Sequence, residues 1–429
     1  MMKRILLLDP WSTGHHPMYM RMMTQALLES GHRVLSICPG EVGVREWVAQ
    51  KCPDLIQHLE VFGADAPPIS SFPHRILRRT LSGLKAWRHA GRCVREALKA
   101  SSFRNADLVF ILWLDDYLVP LIKGKVVDRL FPWAWSGLYF NPTACRRPPA
   151  EPAQFADISW PRRLVHALLP KAIRLRIGDF FRWAYSPLGP IFAERCICLA
   201  VLDEGAAEGL DTVVPKAVMV FPDFTDESSP DFDWPVVRHL RAQAAGRKIV
   251  GLIGEQSERK GILTLLEVAS RTVNEDLFYV FAGTPYFSEE WKASQPLLRT
   301  PPPNCFLHFA RIPDEPRFNA LIASCDVLFA AYRNFPHSSN ILAKAAISRK
   351  LVVVSEGFCM AERVRRYRLG TCIPQEDAAA CAQALCAMLE GSTYERYRAE
   401  ADFEGYARLH SREQLGSRLR EMVNLIPAP

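Results

Sequence analysis

The chain has 429 residues, 49% of them hydrophobic and 23% charged, which is the usage of a globular protein and not of a disordered or fibrous one. That length suits two domains of roughly 200 residues each better than a single core. The formal net charge of +7 lies wholly in the first half, where residues 1 to 225 hold 28 Lys and Arg against 21 Asp and Glu while the remainder balances at 25 against 25.

The opening MMKRILLLDP has basic residues before a short apolar run, but Asp9 and Pro10 end it too soon for a signal-peptide core. It reads as a first buried strand, 4 to 9 (RILLLD). A loop, WSTGHH, follows, and then a helix with Pro17 in its first turn and Gly31 at its end, one face carrying Met18, Met22 and Ala26. A second strand at 33 to 39 completes a parallel βαβ unit. The apolar run 107 to 122 is interrupted by Asp115 and Asp116, so it is a strand at 107 to 113 and no membrane span. Further strands fall at 196 to 201 and 217 to 221, and the proline-rich and aromatic stretch 131 to 161 reads as an irregular surface excursion.

Two segments concentrate the positive charge. Residues 74 to 99 carry eight basic residues and one acid, and residues 161 to 183 carry six and one, with Trp and aliphatic residues interleaved. Such helices are solvated faces, or surfaces for anionic lipid or nucleic acid.

The acidic, proline-containing DFTDESSPDFDWP at 223 to 235 is the expected linker. A second α/β pattern then runs through strands at 248 to 253, 277 to 283, 326 to 332 and 351 to 355, with helices at 262 to 273 and 316 to 325. The expected division is therefore a first domain at 1 to 225, a linker at 226 to 246, a second domain at 247 to 400 and a terminal helix at 401 to 429. In doubly wound sheets ligands bind beyond the carboxyl ends of the strands, so a cleft between the two halves is the expected active site.

Two loops carry the chemistry in the second half. GEQSERKG (254 to 261) follows a buried strand and opens a helix: Gly254 and Gly261 allow tight turns, the helix terminus offers N–H groups, and Arg259 with Lys260 supplies charge, together a cradle for a diphosphate. NFPHSSNILAKAA (334 to 346) lies between two strands, where Ser338 or Ser339 is positioned to cap the next helix and leave donors at the same sheet edge. The twelve cysteines show no C-x-x-C pair and suit reduced, buried thiols in a cytoplasmic protein. The D-x-D of Asp231 and Asp233 sits in the acidic linker and implies no metal, and no G-x-S-x-G elbow supports serine hydrolysis.

The order and spacing of G-x6-G with Lys260, Gly283 after a strand, Cys325-Asp326-Val327, and the loop and helix before LVVVS resemble the donor domain of retaining family-four (group 1) glycosyltransferases. The opening STGHHPMYMRMMTQALLESGHRV, the segment 216 to 226, the stretch EGFCMAERVRRYRLGTCIP and the terminal RLHSREQLGSRLREMV resemble other parts of the same family. The resemblance implies an α/β protein of GT-B architecture: two doubly wound Rossmann-like domains facing a cleft, with a C-terminal helix crossing back to the first. It implies sugar transfer from a nucleotide sugar, with retention, to a saccharide or lipid-linked saccharide, in surface polysaccharide assembly at the cytoplasmic side of a membrane, and neither a cofactor nor nucleic acid as partner. The alternatives on the same fold are a sugar-nucleotide epimerase or hydrolase, and a non-catalytic subunit.

By the same resemblance Arg259 and Lys260 grip the donor diphosphate and Glu362 lies near the donor sugar. Gly14, His15 and His16 face the phosphates or the acceptor, where a histidine can exchange a proton with a sugar hydroxyl. Family members carry two glutamates eight residues apart before the LVVVS-like strand, and here Pro336 and Lys344 stand in their places. An ammonium cannot accept from ribose hydroxyls, so the ribose falls to Glu356, Glu362 or Asn340, and Lys344 points at a phosphate or pairs with an acid. Glu255 stands where the family's cradle has an arginine.

Overall fold

The structure is a computed structural model that describes residues 2–67, 74–142, 186–273 and 275–427. The chain forms two compact units, Met1–Phe221 with Arg412–Pro429, and Pro222–Ser411.

The first unit is built on a seven-stranded sheet in the order β3-β2-β1-β4-β5-β6-β7. Its strands are β1 (Arg4–Leu8), β2 (Arg33–Cys38), β3 (Leu59–Gly63), β4 (Leu108–Ile111), β5 (Trp135–Leu138), β6 (Cys196–Val201) and β7 (Ala217–Val220). Every pairing is parallel. Parallel strands covered by helices on both faces need near-continuous apolar runs, and RILLL, LVFI and CICLAV supply them. The stretch read as an irregular excursion is corrected at its start, because WSGL enters the sheet as β5. Gly137 is required there, since a Cβ would lie 2.5 Å from the Ile111 carbonyl oxygen of the neighbouring strand.

The long helix Arg75–Ala100 buries Ala86, Trp87, Ala90, Val94 and Ala97 against this sheet. Trp87 is the anchor: its Nε1 donates to the Tyr117 carbonyl at 3.2 Å and its ring meets Tyr117, Phe131 and Trp135 edge to face. The basic segment 161 to 183 lies outside the described residues.

The second unit holds a six-stranded parallel sheet, β10-β9-β8-β11-β12-β13. The strands are β8 (Lys248–Ile253), β9 (Leu277–Ala282), β10 (Cys305–His308), β11 (Val327–Ala330), β12 (Leu351–Ser355) and β13 (Gly370–Ile373). The Asp326 carboxylate, just before β11, accepts the Ile249 N–H of β8 at 2.8 Å and the hydroxyl of Tyr394, on the helix Gly391–Glu400, at 3.2 Å.

Two expected boundaries shift. Residues 226 to 246 do not form a free linker: the helix Pro235–Ala244 puts Val237, Leu240 and Ala244 into the core of the second unit, and Asn319 Nδ2 donates to the carbonyls of Asp226 and Ser228. Apolar spacing within that helix outweighs the acidic composition before it. At the other end Phe403–Leu409 stays with the second unit, and the chain returns to the first only as Arg412–Asn424, which packs on the helix His16–Glu29.

Candidate active site

In the first unit the loop after β1 leads into the helix His16–Glu29. Gly14 takes a left-handed conformation (φ +63°), and His15 is the exposed residue capping the helix, with no side-chain cap bond. His16 turns inward. Its Nδ1 lies 2.8 Å from Oδ2 and 3.0 Å from Oδ1 of Asp9, a carboxylate 1% exposed at the carboxyl end of β1, against 16% for the imidazole. Asp9 also accepts the Trp11 N–H at 3.3 Å, and burial raises its pKa against the opposing pull of His16. The imidazole centroid is 4.3 Å from that of Trp113, which itself stacks on Phe140 at 4.0 Å.

Beyond Trp113, the Asp115 carboxylate accepts the amides of Phe140 and Asn141 at 2.9 and 2.8 Å, and burial pushes it up to about 6. It ties the end of β5 to the end of β4. Sequence reading singled out His16 and passed over Asp9 and Trp113. The available signal was a carboxylate closing a fully apolar strand at the edge where α/β sheets bind ligands.

The second unit builds its site from the loops that follow β8, β9 and β11. Gly254 (φ +110°), Gly261 (φ +81°) and Gly283 (φ +140°) adopt conformations that other residues rarely enter, and a Cβ on Gly283 would fall 1.7 Å from the Gly254 carbonyl oxygen. Two backbones therefore run in contact. The fully buried Gln256 sews them together, Nε2 donating to Leu252 and Ala282 at 2.9 and 3.2 Å, while its own N–H reaches Thr284 at 2.9 Å.

On this base sits the turn Glu258–Lys260. The Arg259 guanidinium is 3.3 Å from both oxygens of Glu255, so the residue standing in the family's arginine position neutralises the neighbouring arginine. Lys260 differs. Among the described residues it has no ion-pair partner, and its ammonium rests 3.7 Å from the ring centroid of Tyr332 and 5.5 Å from that of Phe335. An ammonium held by aromatic rings keeps its charge for an anion.

The loop before the helix Ile341–Ile347 overturns one expectation. Ser338 is no cap: its hydroxyl donates to Asp223 Oδ2 at 2.6 Å and accepts from Arg363 at 2.6 Å, all three side chains being buried. Asn340 occupies the cap position without a side-chain cap bond, and Ser339 contributes its carbonyl to the Leu342 N–H. The network continues through the Asp223 N–H, which donates to His410 Nδ1 at 2.9 Å. Burial and the Arg363 charge hold the His410 imidazole well below its ordinary pKa.

Lys344 pairs with an acid. Its Nζ is 2.7 Å from Glu315 Oε2 and 2.8 Å from Asn319 Oδ1, and its side chain is 4% exposed. Glu362 is exposed on the helix Cys359–Tyr367, while its neighbour Arg363 is buried. Glu356 lies 3.5 Å from Arg365, both more than half exposed, a contact of little energetic weight. The structure thus gathers Gly254, Arg259, Lys260 and Gly283 in one cradle, and commits Ser338 and Lys344 to internal bonds.

Residues 247–391 match the family model of the glycosyl transferases group 1. No curated protein matches the chain by sequence. Solved structures match it over nearly its whole length at low identity. They include Anabaena Alr3699/HepE in complex with UDP and glucose (14% identity, 98% of this chain and 99% of that one, TM-score 0.61). Sucrose-phosphate synthase from Thermosynechococcus elongatus matches at 17% identity, 98% of each chain and TM-score 0.61. A UDP-forming α,α-trehalose-phosphate synthase from Burkholderia xenovorans matches at 12% identity, 100% of both chains and TM-score 0.64. The fold is GT-B, and the resemblance to group 1 glycosyltransferases seen in the sequence holds for the second unit.

Proposed function

We propose that this protein transfers a sugar from a nucleotide sugar to a saccharide or lipid-linked saccharide. The observation that carries the reading is Lys260: a cation with no carboxylate partner among the described residues, mounted on aromatic rings above two interlocked glycine loops, where a departing diphosphate would develop charge. A uridine nucleotide is the first donor to try, since Alr3699/HepE crystallised with UDP and glucose. Calorimetric titration with UDP, and UDP release from nucleotide sugars with and without added glycosides, test it. Release that depends on acceptor supports transfer, release without acceptor points to hydrolysis, and absence of both binding and release removes the reading.

The acceptor is met at an anionic membrane surface. The outward face of the helix Arg75–Ala100 presents Arg78, Lys85, Arg88, Arg92, Arg95 and Lys99, with Leu77 and Leu81 exposed near its amino end. No described helix is long and apolar enough to cross a membrane. A basic stripe with apolar residues at one end suits peripheral docking that salt weakens. Sedimentation with vesicles containing phosphatidylserine, compared with neutral vesicles, reads it.

One observation favours a second reading, a subunit that binds without turnover: the position expected to accept ribose hydroxyls carries an ammonium engaged by Glu315 and Asn319. Binding of UDP without release from any nucleotide sugar would select it.

A further inference from the structure

A buried ion pair is commonly no more stable than apolar residues of the same volume. Holding the helix Ile341–Ile347 against the helix Glu315–Ser324 therefore does not by itself call for a lysine and a glutamate. The pair is also lopsided. Lys344 is 4% exposed and engages Glu315 Oε2 at 2.7 Å and Asn319 Oδ1 at 2.8 Å, whereas the Glu315 side chain is 39% exposed. Glu315 Oε1 has no hydrogen-bond partner among the described residues. One carboxylate oxygen is fixed from behind, and the other is left over as an acceptor.

That acceptor lies beside the cradle. Glu315 opens its helix after the loop that follows β10, on the carboxyl edge of the sheet from which the cradle loops also rise. Phe318, one turn along the same helix, has its ring centroid 4.9 Å from the Lys344 ammonium, and a ring carbon that would stand 3.6 Å from a Cβ on Gly254. A single phenyl ring thus separates the pair from the first glycine of the cradle. Other carboxylates near this edge are held differently: Glu255 lies 3.3 Å from Arg259, Glu258 2.9 Å from Arg333 and Glu356 3.5 Å from Arg365, each facing an exposed guanidinium. Of these, Glu315 alone is anchored on a buried cation.

Beside a cradle that gathers phosphate, a bare carboxylate would repel the ligand. Lys344 cancels that charge, and Oε1 keeps its lone pairs. Phosphate oxygens only accept, so the partners a nucleotide sugar has for such an oxygen are its hydroxyls and the N–H groups of its base. The base is removed from the phosphates by the whole ribose, and an acceptor one ring from the cradle therefore meets hydroxyls first. We propose that Glu315, anchored by Lys344, accepts hydrogen bonds from donor hydroxyls, those of the ribose or those of the transferred sugar, and so determines which nucleotide sugars the second unit holds. The inference rests on the reading of the cradle as a nucleotide-sugar site and concerns this unit alone. It gives the ammonium at position 344 a use in an active protein, as the support of an acceptor on the neighbouring helix.

The test is calorimetric titration of the full chain with UDP, 2′,3′-dideoxy-UDP, UDP-glucose and the monodeoxy analogues of UDP-glucose. Wild type should bind the hydroxylated ligand about tenfold more tightly than its deoxy counterpart in one of the two series, the scale of one hydrogen bond to a charged group, and the series that shows the preference identifies the hydroxyl. Glu315→Gln, whose amide oxygen still meets Lys344, should bring that preference within about threefold while the deoxy ligand binds as to wild type. The double variant Glu315→Leu with Lys344→Met removes both charges together and should lose the preference in the same way, which covers the case of an unstable single variant. Lys344→Met alone frees the carboxylate without removing it and should change UDP affinity by less than about threefold. A wild type indifferent to every hydroxyl, or a Glu315→Gln protein that keeps the full preference, overturns the assignment and leaves the transferase reading standing. Affinity lost in Glu315→Gln with no hydroxyl preference in wild type overturns it too, because the carboxylate would then serve the base. A wild-type protein that binds neither UDP nor UDP-glucose refutes both for a uridine donor.

Discussion

Lys344 offers the sharpest separation between a donor ligand and an internal strut. In Lys344→Met the apolar stem is kept and the ammonium removed. Glu315, whose side chain is 39% exposed, can turn back to water, so its share of the cost is small. Asn319 Oδ1 cannot, being buried, and a buried acceptor without a donor costs about 1 to 3 kcal/mol. Loss of the contact between the ammonium and the Phe318 ring, 4.9 Å away, adds about 0.5 kcal/mol. The expected destabilisation is therefore about 2 kcal/mol. Lys344→Glu is worse, because it sets a second carboxylate where Glu315 already points and breaks a largely buried pair, at about 3 to 5 kcal/mol.

Urea unfolding and UDP titration at a temperature where all three proteins stay folded give the two readouts. Both variants should lose stability in that order with UDP affinity altered less than threefold. A tenfold loss of affinity in Lys344→Met at unchanged stability would show that the ammonium reaches the donor, and the internal assignment would then be wrong.

Three further outcomes follow from the same geometry. Lys260→Ala should lower kcat/KM by about 2 to 4 kcal/mol of transition-state stabilisation with little change in melting temperature, and an unchanged rate would remove the cradle. Gly283→Ala forces a Cβ onto the Gly254 carbonyl and should cost about 3 kcal/mol, whereas Gly246→Ala, also at positive φ but with nothing within 4 Å, should cost about 1 kcal/mol; equal effects would refute the contact argument. His410 has a depressed pKa when folded, so as pH falls below about 6.5 the unfolded chain gains a proton that the folded chain refuses. Stability should drop by up to about 1.4 kcal/mol per pH unit in that window, and His410→Asn, which keeps an acceptor for the Asp223 N–H, should flatten the slope in urea titrations from pH 7 to 5.

The fold was legible wherever burial on both faces demands uninterrupted apolar residues. RILLL, LVFI, KIVGLI, LFYVFA and LVVVS are such strands, and each was found. WSGL, CFLH and GTCI were not, because four residues containing a glycine or a histidine have no period to read, and only pairing with a neighbouring strand makes them strands. The glycines of the cradle were legible for a related reason: a strand, a glycine and a basic pair before a helix state a local backbone requirement.

Side-chain partners were not legible. Ser338 precedes a helix and has the chemistry of a cap, yet it bonds to Asp223 and Arg363, 115 and 25 residues away. Lys344 could be narrowed to a phosphate or an acid by its inability to accept, and only the packing of the helix Glu315–Ser324 beside it selected Glu315. The same holds for Asp9 and His16. Seven positions apart on a strand end and a helix start, they are joined by the turn between them, and that turn's conformation, set by Gly14 and by the helix packing on β2, is a property of the folded unit. Local sequence determines which backbone shapes are allowed; which charges meet depends on chain folded from far away.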